Sequence, residues 1–396
     1  MSALIRLGVV RLLLDVQFWF PVWLILLLDR GFSLGEAAMV DGIFRITVVL
    51  AELPMGRLAD KLGRRRSLVG ICVATTIVFA SIGFVDSLPV LVATWIAWGL
   101  LWALASGIDT AYSWELAKQE LSEHDAQRYL GVTRAITGVA GVISLLTAGW
   151  LYTVDPGLPF WITAGLAAAA LLLTWTIPDI DPDLVMTQAT STSSLRTALS
   201  DPRARNGVLL AALVLVAGWT LQILVQPLAL QLELPPTITG LIYAAFAVAG
   251  GVGGVMGAHA VAVSRPWVPL SVAGIGLACV GIAWSVRADV GWLAIAVLLP
   301  VIGALHAVAK TITDIWVAQR AGPRLLASVL SVASLSGGIV IAVARPGLAV
   351  LSGTIGAGDA FAVWGAVCAV IVVPTWLLWR HRGRMITAAA DDGSRI

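Results

Sequence analysis

Long apolar runs separated by short polar turns dominate the chain. A hydrocarbon core of about 30 Å is crossed by about 20 residues of helix. Twelve runs of this kind can be placed at 5–28, 36–56, 67–85, 88–113, 130–153, 159–177, 207–231, 236–259, 267–286, 291–317, 324–350 and 359–379. Turn-forming residues separate them, as in Asp29-Arg30-Gly31 and Asp155-Pro156-Gly157. The pattern predicts an all-α membrane protein with twelve transmembrane helices.

Composition supports lipid as the solvent. Of the 396 residues, 59% are hydrophobic and 12% are charged, and the mean hydropathy is +0.93. A soluble domain carries about 25% charged residues. The first apolar run, 5–28, is too long for the core of a signal peptide and no small-residue cleavage site follows it, so we expect it to be the first span.

Lysine and arginine positions predict the orientation. Of the 25 Lys and Arg residues, 19 lie on the side of the membrane that holds both termini, two (Arg30 and Arg287) lie on the other side, and four lie within predicted spans. Because basic residues are enriched in cytoplasmic loops, both termini are predicted to be cytoplasmic. The expected location is the inner cell membrane, crossed many times.

The polar segment between the sixth and seventh runs divides the chain into two pseudo-symmetric six-helix bundles. We predict an N-terminal bundle at 1–178, a cytoplasmic linker at 179–206, a C-terminal bundle at 207–380 and a cytoplasmic tail at 381–396. Gly56 and Arg64 after the second run, and Gly257 and Arg265 after the eighth, repeat the same spacing. Such weak internal symmetry is typical of duplicated transporter halves.

The turn after the second run carries a motif. Residues 56–66 read GRLADKLGRRR, directly after Glu52-Leu53-Pro54. This resembles the loop 2–3 signature of the major facilitator superfamily, in its drug-exporter-like branch. The alternative is a basic loop that only sets topology.

The resemblance implies a fold and a mechanism. It implies the major facilitator fold, with alternating access between two rocking halves and with helices one, four, seven and ten around a central cavity. It also implies a conformational latch formed by Gly56, Asp60, Gly63 and Arg64.

Glycines of two spans suggest close helix contact. They are Gly138 and Gly141 in the fifth span, and Gly250, Gly251, Gly253, Gly254 and Gly257 in the eighth. We expect the helices to pack through these positions.

Ionisable residues inside the predicted spans are candidate site residues, since each costs about 2.5–3.5 kcal/mol at mid-helix on insertion scales. Asp15 lies near the midplane of the first span, one turn from Arg11. Asp15 is either a proton-binding acid or half of an i,i+4 ion pair. Arg45, near mid-depth in the second span, forms a second such pair with Asp41, for which we predict a structural or gating role.

The tenth span carries a stripe at i, i+4 and i+8, formed by His306, Lys310 and Asp314. It is a candidate proton path or anion-binding group. The alternative is a structural network joining this helix to a neighbour, with Lys310 paired to Asp314.

Aromatic and amide side chains complete the candidate substrate site. Trp98 and Trp102 repeat at helical spacing in the fourth span, with Asp109 on the same face, and predict an aromatic cavity wall or, alternatively, helix packing. Gln222 and Gln226 of the seventh span are expected either to donate hydrogen bonds to substrate or to join helices.

These features predict a secondary transporter. The specific hypothesis is proton-coupled export of a small amphipathic organic compound by a monomer in the lipid bilayer, with no cofactor, metal or nucleic acid. A solute importer or facilitator, or a non-transporting membrane sensor, is the alternative. The chain has no nucleotide-binding loop and no HExxH or GxSxG motif, so we expect it not to be an enzyme.

Overall fold

The computed structural model describes residues 2–105, 108–179, 202–260 and 266–393, with side chains described except at 53, 60, 109–111, 202–204, 320–328, 330–331 and 381–393. Every regular element within these ranges is helical. The α-helices are α1 (Ala3–Asp15), α2 (Trp23–Asp29), α3 (Leu34–Leu62), α4 (Arg64–Phe84), α5 (Leu88–Ala105), α6 (Ile108–Glu120), α7 (Glu123–Val154), α8 (Leu158–Thr174), α9 (Pro202–Trp219), α10 (Val225–Gln231), α11 (Pro236–Ala260), α12 (Trp267–Arg287), α13 (Gly291–Leu293), α14 (Leu299–Ile355) and α15 (Ala357–Gly393). A 3-10 turn at Thr220–Leu224 and a π-helical turn at Ala294–Leu298 interrupt two spans.

Nine helical segments in the described part of the chain are long and apolar enough to cross a membrane. They correspond to the third, fourth, fifth and seventh to twelfth predicted spans. The other three predicted spans are helical as well. The first is broken into α1 and α2, α3 carries charged residues along its 29 residues, and α8 has 17 residues. Together these segments account for the twelve predicted spans.

The helical boundaries differ from the prediction at two places. The turn predicted between the tenth and eleventh spans is wrong, because α14 runs without a break from Leu299 to Ile355. The apolar stretches Gly291–Gln319 and Val332–Ile355 nevertheless remain separate candidate spans. Helix α15 continues past the predicted end of the last span, to Gly393.

Contacts group the chain into two compact units. The first consists of Met1–Gln188 with Leu234–Ala244, and the second of Ala189–Glu233 with Ala245–Ile396. The start of α11 therefore contacts the first unit, whereas the sequence predicted it in the second bundle. Glycines permit this contact because they have no Cβ atom. A Cβ at Gly149 would lie 2.0 Å from the carbonyl oxygen of Pro236, and a Cβ at Gly240 would lie 2.3 Å from the carbonyl oxygen of Leu145. Residues 180–201 of the predicted linker 179–206 lie outside the described residues, and so does Arg265.

In the first unit, a buried ion pair fixes the turn between α3 and α4. Gly63 ends α3 with φ of +80°, a conformation that favours glycine. Arg64 then begins α4, and its Nε and Nη2 atoms each donate to a carboxylate oxygen of Glu115 on α6, both at 2.9 Å. The two side chains are only 6% and 2% exposed.

In the second unit, glycines let α11 and α14 approach closely. A Cβ at Gly253 would lie 2.2 Å from the Ala304 carbonyl oxygen, and one at Gly257 would lie 3.0 Å from that of Val308. The expectation of close contact holds at these positions. It was wrong for Gly138, Gly141 and Gly251, where a Cβ would meet no described atom within 4 Å.

Substituting Gly253 tests this packing. We expect Gly253→Ala to lower stability by about 1–3 kcal/mol, because the added methyl group collides with backbone that cannot rotate away. Gly251→Ala, on the same helix, has space for the methyl group, and we expect no more than about 0.5 kcal/mol of loss. Thermal unfolding of the purified protein in detergent measures both changes. Equal losses in the two variants would contradict the packing.

Breaking the Arg64–Glu115 pair is expected to be more costly. Arg64→Ala leaves the Glu115 carboxylate buried without its cation, a change worth about 3–5 kcal/mol. The double variant Arg64→Met/Glu115→Leu removes both charges and should recover most of that loss in the same unfolding measurement. Arg66→Ala, at an exposed position, is the control. A double variant as unstable as Arg64→Ala alone would contradict a charge-based explanation.

Candidate functional site

The first span is interrupted near its middle. Helix α1 ends at Asp15, residues 16–22 form an extended stretch and turns that include Pro21, and α2 begins at Trp23. The Ser144 hydroxyl of α7 accepts a hydrogen bond from the Gln17 backbone N–H at 3.2 Å. Non-helical backbone at membrane depth is tolerated where protein encloses it or where it lines a cavity.

A cavity of about 350 Å³ lies beside this break, within the first unit. The polar side chains that line it belong to Arg11, Asp15, Gln17, Thr75 and Thr163. Helices α4 and α8, the third and sixth spans, contribute to its wall together with α1 and α5. The resemblance implied a central cavity lined by spans one, four, seven and ten, so this cavity has a different set of walls.

Arg11 and Asp15 both line the cavity but do not pair. Arg11 Nη1 donates to the Ser113 hydroxyl on α6 at 3.0 Å. Among the described residues no ion pair joins Arg11 to Asp15, and no hydrogen bond reaches the Asp15 carboxylate. The two groups thus form no direct ion pair, although the Arg11 charge still acts on the Asp15 carboxylate. Ser113 supplies the arginine with a hydrogen-bond acceptor from another helix.

Aromatic rings form the apolar wall. The Trp98 ring lies 4.7 Å from that of Trp19 and 4.5 Å from that of Phe44, centroid to centroid, and is 7% exposed. Trp102 also lines the cavity and is 44% exposed. Sequence reasoning found Trp98 and Trp102 and missed Trp19, which lies in the broken segment where helical spacing no longer applies.

Arg45, a further candidate of the first unit, is not among the residues that line this cavity. The Arg45 guanidinium carbon lies 5.2 Å from the centroid of the Phe44 ring, and this ring in turn contacts Trp98. The side chain of Asp109 lies outside the described residues.

The predicted latch loop is only partly described. Gly56 lies inside α3 rather than in a turn, and a Cβ there would meet no described atom within 4 Å. Gly63 and Arg64 form the turn and ion pair given above. The Asp60 side chain is outside the described part. Sequence reasoning missed Glu115, because a partner 51 residues away leaves no trace in helical periodicity.

In the second unit, the candidates of the seventh span lie at an interruption. Gln222 is in the 3-10 turn at Thr220–Leu224, and Gln226 follows in α10, beside Pro227, with 2% exposure. The first and seventh spans, which correspond in the two predicted halves, are thus both interrupted. Interrupted segments at corresponding positions are typical of transporter binding regions.

The stripe of the tenth span separates into two parts. Lys310 Nζ pairs with the Asp314 carboxylate, which is the structural alternative for these two residues. His306 is 7% exposed, and neither ring nitrogen has a hydrogen-bond partner among the described residues. Its ring packs on Gly218, where a Cβ would lie 2.0 Å from Nδ1.

Asp15, Trp98 and Trp102 are thus the predicted site residues that share the cavity. In the described ranges, no group of three or more His, Cys, Asp or Glu side chains could hold a metal ion. A carboxylate, a guanidinium and indole rings around an enclosed space are suited to binding a small molecule with both charged and apolar parts.

Curated relatives match parts of the chain. An uncharacterized MFS-type transporter, YxaM, of Bacillus subtilis (strain 168) is 21% identical over 162 residues, which are 41% of this chain and 39% of that protein. Lactose permease of Klebsiella oxytoca is 24% identical over 165 residues, 40% of this chain and 38% of that protein. The matched region thus spans about two fifths of the length of either relative.

Solved structures share the fold over nearly the whole chain. A mutant of the nucleoside transporter NupG superposes with a TM-score of 0.76 at 14% identity, covering 95% of this chain and 100% of that one. A bacterial homolog of the human lysosomal transporter Spinster gives 0.75 at 14% identity, covering 96% of each chain. The human organic anion transporter MFSD10 gives 0.63 at 17% identity, with 95% and 98% covered.

The family assignment follows from a match over most of the sequence. The family model of the Major Facilitator Superfamily matches residues 8–345. The apolar helices and the shared fold agree with a multi-pass membrane protein. The chain belongs to the Major Facilitator Superfamily.

Proposed function

We propose that this protein is a secondary transporter that exports a small amphipathic organic compound in exchange for protons, by alternating access. The observation that carries the proposal is the cavity beside Asp15. It combines an intramembrane carboxylate, which forms no hydrogen bond or ion pair with a described side chain, with a wall of Trp19, Trp98 and Trp102. An ionisable group inside a membrane span is by default a functional-site candidate.

Asp15 is the proposed proton carrier. An ionised carboxylate is stable while the cavity holds water, but it is costly once the cavity closes and dries. A proton on Asp15 removes the charge and lowers the free energy of the closed state. Exchange between proton and substrate at this position would then couple the two fluxes.

The rest of the machinery is assigned from the predicted topology. In this proposal the halves 1–178 and 207–380 rock against each other, and the segment 179–206 connects them on the cytoplasmic side of the inner membrane. Arg64, held by Glu115, fixes the turn at the base of α4, and Asp60 with Gly56 and Gly63 forms the latch that holds the outward-facing state. The protein acts as a monomer.

Export is favoured by the loop signature GRLADKLGRRR after Glu52-Leu53-Pro54, which resembles that of the drug-exporter-like branch. The second candidate is a solute importer on the same fold. The partial similarity to lactose permease favours that candidate. The two candidates differ in the direction of proton movement. Export in exchange for protons moves protons and substrate in opposite directions, whereas import coupled to protons moves both in the same direction.

Neutralising Asp15 tests the proposal. In proteoliposomes with a pH-sensitive dye inside, addition of a transported compound should move protons across the membrane. Asp15→Asn should abolish this coupled flux, since a side-chain amide cannot bind and release a proton as a carboxylate does. Asp15→Glu should retain much of it. Asp86→Asn, at an exposed position outside the spans, is the matched control. Undiminished proton coupling in Asp15→Asn would contradict the proposal.

For the tenth span, we propose that Lys310 and Asp314 neutralise each other. The single variant Lys310→Met then leaves an unpaired carboxylate and should weaken flux and stability together. The double variant Lys310→Met/Asp314→Leu should restore both. If the stable double variant has no proton-linked flux, the pair belongs to the proton path instead. Proton-linked flux and thermal unfolding, measured on the same preparations of the single and double variants, distinguish these two roles of the pair.

A further inference from the structure

The cavity contains one positive and one negative side chain that form no direct ion pair with each other. Arg11 has a neutral hydroxyl, that of Ser113, as its hydrogen-bond partner, and its Nε is buried with no partner among the described residues. Asp15 forms no ion pair or hydrogen bond with a described side chain. Two opposite charges therefore lie on one wall, separately.

Arg11 and Asp15 lie on adjacent turns of α1. Residues at i and i+4 on a helix have Cβ atoms about 5–6 Å apart. Ser113 on α6 holds the guanidinium away from the carboxylate, at 3.0 Å from Nη1. A single small molecule that carries both charges can contact both groups.

The end of α1 favours a cation on the Asp15 side. The last carbonyl groups of a helix have no intrahelical partner and form the negative end of its dipole. Because α1 ends at Asp15, this negative end borders the cavity. The Thr75 and Thr163 hydroxyls donate to carbonyls of their own helices, at 2.7 and 2.8 Å, so that their oxygens remain acceptors.

The remaining wall suits an aromatic or apolar body. Trp19, Phe79 and Trp98 contact one another, with ring centroids 4.7 to 5.7 Å apart, and all three line the cavity. The space of about 350 Å³ lies at the small end of ligand pockets.

From these observations we infer that the cavity binds a small zwitterion, with its ammonium group at Asp15, its carboxylate at Arg11 and an apolar or aromatic group against Trp19 and Trp98. A purely cationic amphiphile would leave Arg11 uncompensated, and an anionic one would leave Asp15 uncompensated. An α-amino acid with an aromatic side chain has the required chemistry. This inference rests on the proposed transport function, because it names the substrate class of the same site.

A ligand series on the unaltered protein tests the inference. L-Phenylalanine carries both charges, phenethylamine carries the ammonium alone, and 3-phenylpropionate carries the carboxylate alone, with the same ring in all three. Binding is measured by titration calorimetry of the purified protein in detergent. We expect L-phenylalanine to bind about tenfold or more tightly than either analogue, because each analogue lacks one charge-assisted contact.

Two variants identify the groups. Asp15→Asn should remove the preference for L-phenylalanine over 3-phenylpropionate. Arg11→Gln keeps an amide donor for Ser113 and should remove the preference over phenethylamine. Equal binding of phenethylamine and L-phenylalanine to the unaltered protein would overturn the inference, and so would the absence of binding by all three.

Failure here is distinguishable from failure of the proposed function. If the ligand series fails while Asp15→Asn loses proton-linked flux, the zwitterion is wrong and the transport proposal stands. If L-phenylalanine binds with the expected preference but no compound moves protons, the site stands and the proposed coupling is wrong.

Discussion

The constraint on which this structure depends is that lipid offers no hydrogen bonds to the backbone. Each N–H and C=O group inside a membrane must find its partner in the protein, and a helix provides this automatically. Helix α1 stops at Asp15 and α2 begins at Trp23, so several backbone groups between them lose their helical partners. Ser144 compensates for one of them, through the N–H of Gln17. The break is possible because neighbouring helices surround it, and the cavity lies where they do not fill the space.

The same solvent separates two kinds of buried charge. Arg64 and Glu115 satisfy each other with two hydrogen bonds of 2.9 Å and are almost fully enclosed, which is the geometry of a structural ion pair. Arg11 and Asp15 carry the same two charge types on one helix, but Ser113 keeps them apart beside an open space. Leaving charges uncompensated in a membrane is expensive, so the second arrangement is best explained by a ligand or a proton that completes it.

Periodicity and hydropathy were sufficient to predict the membrane-spanning helices, and the loop motif at 56–66 added the resemblance that implied the fold. They depend on local features, such as the length of an apolar run or the position of Gly63, and these are written directly in the sequence. The candidate site was harder to predict from the sequence. The i,i+4 rule gave the ion-pair partner of Lys310. It could not predict Ser113, which accepts a hydrogen bond from Arg11 across 102 positions of the chain. Trp19 and Glu115 were missed for the same reason, since their roles depend on which helices lie together.

Water access to the cavity beside the broken helix is the central claim. It can be measured by thiol labelling in membranes, starting from a variant in which Cys72, Cys279 and Cys368, all buried, are replaced by serine. A cysteine at Gln17 lines the cavity, and a cysteine at Leu26, in the same span, is fully packed. The account predicts that N-ethylmaleimide labels the Gln17→Cys protein many times faster than the Leu26→Cys protein. Equal, slow labelling of the two proteins would mean that the cavity is closed to water, and it would contradict the account.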